Sequence, residues 1–143
     1  MSDPRRLVLA LPEKFGNGMP SLPSVNQTRT WLRLGQYWKY GKLAKAYGEA
    51  ILEAKALRGV PWGDPAKRVT ITVRRVAARL YDGDNLHGSP KHLIDALVRA
   101  RIVVNDRPEN VTLVVTQEIA KYGRKKEERP WRGVAIEVEE VTS

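Results

Sequence analysis

Apolar and polar positions along the chain divide it into segments of different period. Leu7 to Leu11 is a short unbroken apolar run ended by Pro12, the pattern of a buried strand. From Pro12 to about Thr30 the chain is rich in Pro, Gly, Ser and Asn, which reads as a long loop. Between about Leu34 and Arg58, residues Ala44, Tyr47, Ile51, Ala54 and Ala56 or Leu57 recur near helical spacing with Lys and Glu between them, and Gly59 supplies a stop. Lys67 to Tyr81 is the clearest strand: Val69, Ile71 and Val73 alternate with Arg68, Thr70, Thr72 and Arg74. The alternation resumes out of phase at Val76, Ala78 and Leu80, which predicts a bulge near Arg74–Arg75.

Ser89-Pro90 reads as an N-cap followed by proline at the first helical position. The helix it opens would run to about Ala100, with Leu93, Ile94, Leu97 and Val98 on one face. Val103-Val104 and then Asn110 to Ala120 read as strand, and Val134, Ile136 and Val138 mark a last one after a charged turn over 122–129. The order β-loop-α-β-α-β-β predicts one α+β domain over residues 1–143, with a mixed sheet and two main helices.

Composition narrows the functional classes. The chain has 143 residues, no cysteine and a formal net charge of +9. Disulfide frameworks, zinc–thiolate sites and thiol nucleophiles are excluded, and a reducing, cytoplasmic setting is expected. No apolar run approaches the roughly 20 residues that span a bilayer, and the N-terminal stretch lacks the length and cleavage pattern of a signal peptide. The positive charge predicts attraction to a polyanion, nucleic acid first. Trp31, Tyr37, Trp38 and Tyr40 are interleaved with Lys39 and Lys42. Such aromatics are either half-buried core or platforms for bases.

Against this basic background stands an acidic cluster, Asp82-Gly83-Asp84-Asn85, at the end of the clearest strand. On an extended backbone side chains two apart point the same way, so Asp82 and Asp84 could converge on a cation such as Mg²⁺. The alternative is a solvated turn, for which Asp, Gly and Asn are common residues. Lys91 and Asp95 are four apart on the predicted helix and so share a face, as a site pair or as an ordinary ion pair. Asn105-Asp106 follows at another element boundary. His87, beside the acids, is either a surface residue or a contact to a metal-bound water; His92 is expected on the exposed side with no role.

Taken together, Asp82-Gly83-Asp84-Asn85-Leu86, Lys91-His92-Leu93-Ile94-Asp95-Ala96-Leu97 and Val104-Asn105-Asp106 resemble the signature of the RusA family of Holliday-junction resolvases. The resemblance is detailed over residues 80–107 and loose elsewhere, including a Pro/Asn-rich loop at Leu22 to Asn26. It departs from the pattern in two places: His87-Gly88-Ser89 lengthens the gap before Lys91, and Asn105 stands where the first acid of a terminal pair is expected. The resemblance implies a homodimeric endonuclease that hydrolyses phosphodiesters of branched DNA with Mg²⁺, or Mn²⁺ as a substitute. It implies Asp82, Asp84 and Asp106 as metal ligands, and Lys91 and Asp95 as catalytic residues. Asn26, Arg29, Lys39, Lys42, Asn85, Lys125 and Lys126 are expected to contact DNA. Two other functions fit the charge: a non-cutting branched-DNA binder of the same fold, and a basic RNA- or ribosome-associated protein.

Overall fold

The computed structural model describes residues 3–121 and 130–142. The expected strands around Leu9, Ile71, Val115 and Ile136 all form: β1 (Arg6–Pro12), β2 (Val69–Ala77), β3 (Val111–Ile119) and β4 (Gly133–Glu140). They make a mixed sheet in the order β1-β4-β2-β3, with β4 antiparallel to both neighbours and β2 parallel to β3. The fold is a single α+β domain. Among the described residues four helices accompany the sheet: α1 (Val25–Arg33), α2 (Trp38–Leu57), α3 (Gly83–Gly88) and α4 (Lys91–Arg99).

Alternation decides which face is covered. Leu7, Leu9 and Leu11 of β1, Ile71 and Val73 of β2, and Ile136 and Val138 of β4 are buried in one core with Leu43, Tyr47 and Ile51 of α2 and Leu93 and Leu97 of α4. Each fully buried side chain of this size contributes about 1.5–3 kcal/mol. Val8, Thr112, Val114 and Thr116 point the other way and are exposed, so much of the opposite face is open. β1 is thus a one-sided edge strand rather than a fully buried one. Gly59, with φ 76°, ends α2 as its sequence position predicts, because the left-handed conformation there favours glycine.

Four expectations are corrected. The stretch from Pro12 to Thr30 is not all loop, since α1 begins at Val25. Ser24 and Gln27 form a reciprocal capping box: the Gln27 N–H donates to Ser24 Oγ (3.1 Å), and the Ser24 N–H donates to Gln27 Oε1 (2.8 Å). No bulge interrupts β2, whose residues pair one to one with β3 throughout and with β4 from Val69 to Val76. Val76 and Ala77 are both buried because both faces are covered at that end, which is why the hydrophobic phase shifts. Ser89 does not cap α4; its buried hydroxyl donates back to the Leu86 carbonyl of α3 (2.6 Å). Val103 forms a single bridge to Ala66 rather than a strand.

Candidate nuclease site and basic interface

The chain leaving β2 is fastened at Tyr81, immediately before the acids. The Tyr81 N–H donates to Gln117 Oε1 (2.9 Å) and Gln117 Nε2 donates to the Tyr81 carbonyl (2.8 Å), a two-way clasp to β3. The Tyr81 hydroxyl donates to the Leu22 carbonyl (2.8 Å), and the Arg75 guanidinium lies 3.5 Å from the ring centroid. Asp82 follows with an extended backbone (φ −60°, ψ 153°), and α3 starts at Gly83.

This corrects the geometry expected for the acidic pair. Asp84 lies inside the first turn of α3, so strand alternation does not aim it alongside Asp82. Both carboxylates share the exposed start of this short helix, whose Leu86 is buried as its anchor. Asp82 occupies the N-cap position without a side-chain hydrogen bond, and neither acid is in an ion pair among the described residues. Asn85 is half-buried, and its Oδ1 accepts from the Asn26 N–H (2.9 Å), so it positions the start of α1 beside the acids. Asn26 and Arg29 are exposed on α1.

Lys91, exposed, opens α4, and Asp95 is half-buried one turn later. Neither is in an ion pair among the described residues, so the i,i+4 salt bridge does not form. His92 is not on the exposed side. It is half-buried with its ring centroid 5.2 Å from that of Tyr40, and burial pushes its pKa below the ordinary value, partly offset by Asp95. His87 is exposed.

Asp106 stands apart from the pair. It precedes β3, whose first residue Val111 pairs with Val69 at the start of β2, whereas Asp82 follows the end of β2. Eight steps of about 3.3 Å separate the ends of that strand by roughly 26 Å. Among the described residues no three Asp, Glu or His side chains come together as a group able to hold a metal ion. The three acids thus do not converge within the described chain. Asn105 closes the turn before β3, where its Oδ1 accepts from the Arg107 N–H (3.0 Å) and from Asn110 Nδ2 (2.7 Å).

The aromatic–lysine segment splits between the two readings offered by the sequence. Trp31 is buried and Tyr40 half-buried, its hydroxyl donating to the Thr28 carbonyl (2.7 Å). Tyr37 and Trp38 are exposed, at 62% and 58% of their surface. Lys39 and Lys42 both lie over the Trp38 ring, 5.6 and 5.3 Å from its centroid. Sequence reasoning missed Lys14 and Met19, which line one cleft with Trp38 from the loop after β1; only the fold brings that loop to α2. Lys125 and Lys126 lie outside the described residues. Among the described residues no helix is long and apolar enough to cross a membrane. No known protein-family profile matches the chain, and no curated protein matches it.

Proposed function

We propose that this chain is a divalent-metal-dependent endonuclease of the RusA type, acting on branched DNA as a homodimer in the cytoplasm. The observation that carries this reading is a pair of exposed carboxylates, Asp82 and Asp84, without salt-bridge partners among the described residues of a chain of net charge +9. Among the described residues only Glu118, Glu137 and Glu140 are tied to arginines; Asp82 and Asp84 differ from the other unpaired acids in standing two apart at one helix start. An acidic patch left without such a partner repels phosphate unless a cation lies between them.

The donor set fits a hard cation: Mg²⁺ takes carboxylate oxygens, often one or two of them, alongside waters and substrate phosphate. Asp82 and Asp84 would hold it, whereas Asp106, at the far end of β2, is not part of this pair within one protomer. A bound Mg²⁺ supplies Lewis-acid polarisation of the phosphate and a more acidic water. Lys91, in no ion pair among the described residues, would neutralise charge that builds on the phosphate in the transition state. Asp95, one turn further along α4, would orient Lys91 or assist the water once substrate is bound. Asn85 fixes the start of α1, whose Asn26 and Arg29 reach toward the backbone. Lys39 and Lys42 add phosphate contacts that are insensitive to sequence and weakened by salt.

The test is cleavage of an end-labelled synthetic four-way junction with Mg²⁺ or with EDTA. Paired nicks that require the ion, and that disappear in Asp84→Asn, are expected. Junction binding without any cut, even with Mn²⁺, would leave only a binding protein, and equal binding to duplex RNA would favour the RNA-associated alternative. On the geometry of one protomer Asp106→Asn keeps cutting. A loss equal to that of Asp84→Asn would instead mean that the two ends meet in the active assembly.

A further inference from the structure

We propose that the cleft beneath Trp38 is a docking site for an unpaired nucleobase, with its lysines holding the adjoining phosphates. This rests on the nucleic-acid part of the reading above and is independent of the cutting chemistry. The cleft has a volume of about 340 Å³ and lies between the loop after β1, α1 and the first turns of α2. That volume is within the range of about 300–1,000 Å³ typical of small-ligand sites. Its walls include Lys14, Met19, Trp31, Trp38, Lys39 and Lys42, and among the described residues no acid lines it.

Charge and shape select the occupant. Three ammonium groups without an acid at one cleft form a site for phosphate rather than for a neutral or cationic partner. The Trp38 indole, more than half exposed at the first residue of α2, supplies a flat π-face at the same place. Lys39 lies near both indoles, 5.8 Å from the ring centre of Trp31 and 5.6 Å from that of Trp38. A base that stacks on Trp38 displaces an ammonium from the ring, and that ammonium remains within reach of the nucleotide's own phosphate. An intact duplex shows phosphates and base edges but no base faces along its length, so it can use the lysines and not the indole. Unstacked bases at a branch point or in a single strand can use both.

The experiment measures binding by the full-length protein in EDTA, so that metal and cleavage play no part. The probes are a labelled oligothymidylate and a fully paired duplex of equal length. Trp38→Ala is expected to weaken oligothymidylate binding about five-fold to a hundred-fold, the range for loss of one stacked base, and to change duplex binding less than two-fold. Trp38→Phe, which keeps a π-face, restores most of the loss. Lys39→Ala with Lys42→Ala weakens both probes and lowers the salt slope by about two. Unchanged oligothymidylate binding in Trp38→Ala overturns the proposal, as does an equal loss on both probes. A shift from dimer to monomer in Trp38→Ala also overturns it, since the cleft would then seat a second copy of the chain. Loss of Mg²⁺-dependent cutting in a separate assay bears on the nuclease reading alone.

Discussion

The two ends of β2 hold contrasting groups. At the Val69 end one partly buried network ties a guanidinium into the fold. The Arg5 guanidinium donates to both Glu140 carboxylate oxygens (3.2 and 2.7 Å) and to the carbonyls of Trp62 and Asp64. It lies 4.7 Å from the Trp62 ring centre, with Arg58 5.0 Å away. The indole is buried and donates to the Ile102 carbonyl (3.0 Å), which also accepts from the Ala66 N–H (2.9 Å). At the Ala77 end the backbone is just as firmly held through Tyr81, but Asp82, Asp84 and Lys91 carry charges that no described neighbour pairs. Side chains satisfied within the fold hold it together; side chains left unsatisfied on a fixed backbone are available to a ligand.

The contrast breaks most sharply at Trp62. Trp62→Ala removes a buried indole and its hydrogen bond, and urea denaturation should show a loss of about 3–5 kcal/mol. Arg5→Ala is next, at about 1–3 kcal/mol, since it deletes charge-assisted bonds that are partly buried. Its pH dependence has a defined sign. Arg5 holds the Glu140 carboxyl below its ordinary pKa of 4.5, so the stabilisation is present above that value and disappears as pH falls through the lower folded-state pKa. The gap between wild type and Arg5→Ala in denaturation should therefore narrow in acid.

His92 gives a smaller effect of the opposite chemical kind. Its folded-state pKa lies below 6.5, so the unfolded chain binds the extra proton first, and stability declines as pH falls from about 6.5 through the folded value. His92→Phe should flatten that part of the pH–stability profile. The smallest stability effect belongs to the exposed acids: Asp82→Asn and Asp84→Asn should lie within about 0.5 kcal/mol of wild type.

Legibility in the sequence follows the same division. β2 and β4 are readable because one face of each is covered over most of its length and alternation survives. It fails at Val76–Ala77, where both faces are covered and the phase shift resembles a bulge. α1 is hidden by the proline- and glycine-rich stretch before it, although its capping-box residues Ser24 and Gln27 stand in the sequence at the required spacing. The site residues are legible by type and the geometry is not. Asp82-Gly83-Asp84 suits a strand end, a turn or a helix start equally, and burial of Leu86 decides for the helix. The separation of Asp106 from the other acids follows from the parallel pairing of β2 with β3, a long-range fact that local spacing does not contain.

On the proposed reading, the chemistry belongs to the Ala77 end of β2 and not to the Arg5 network at its other end. The most direct test of that division measures melting temperature and Mg²⁺-dependent junction nicking for Asp84→Asn and Arg5→Ala together. Asp84→Asn is predicted to melt with wild type and not to cut, while Arg5→Ala melts several degrees lower and cuts normally wherever it is folded. Normal cutting by Asp84→Asn, or loss of cutting by fully folded Arg5→Ala, would contradict it.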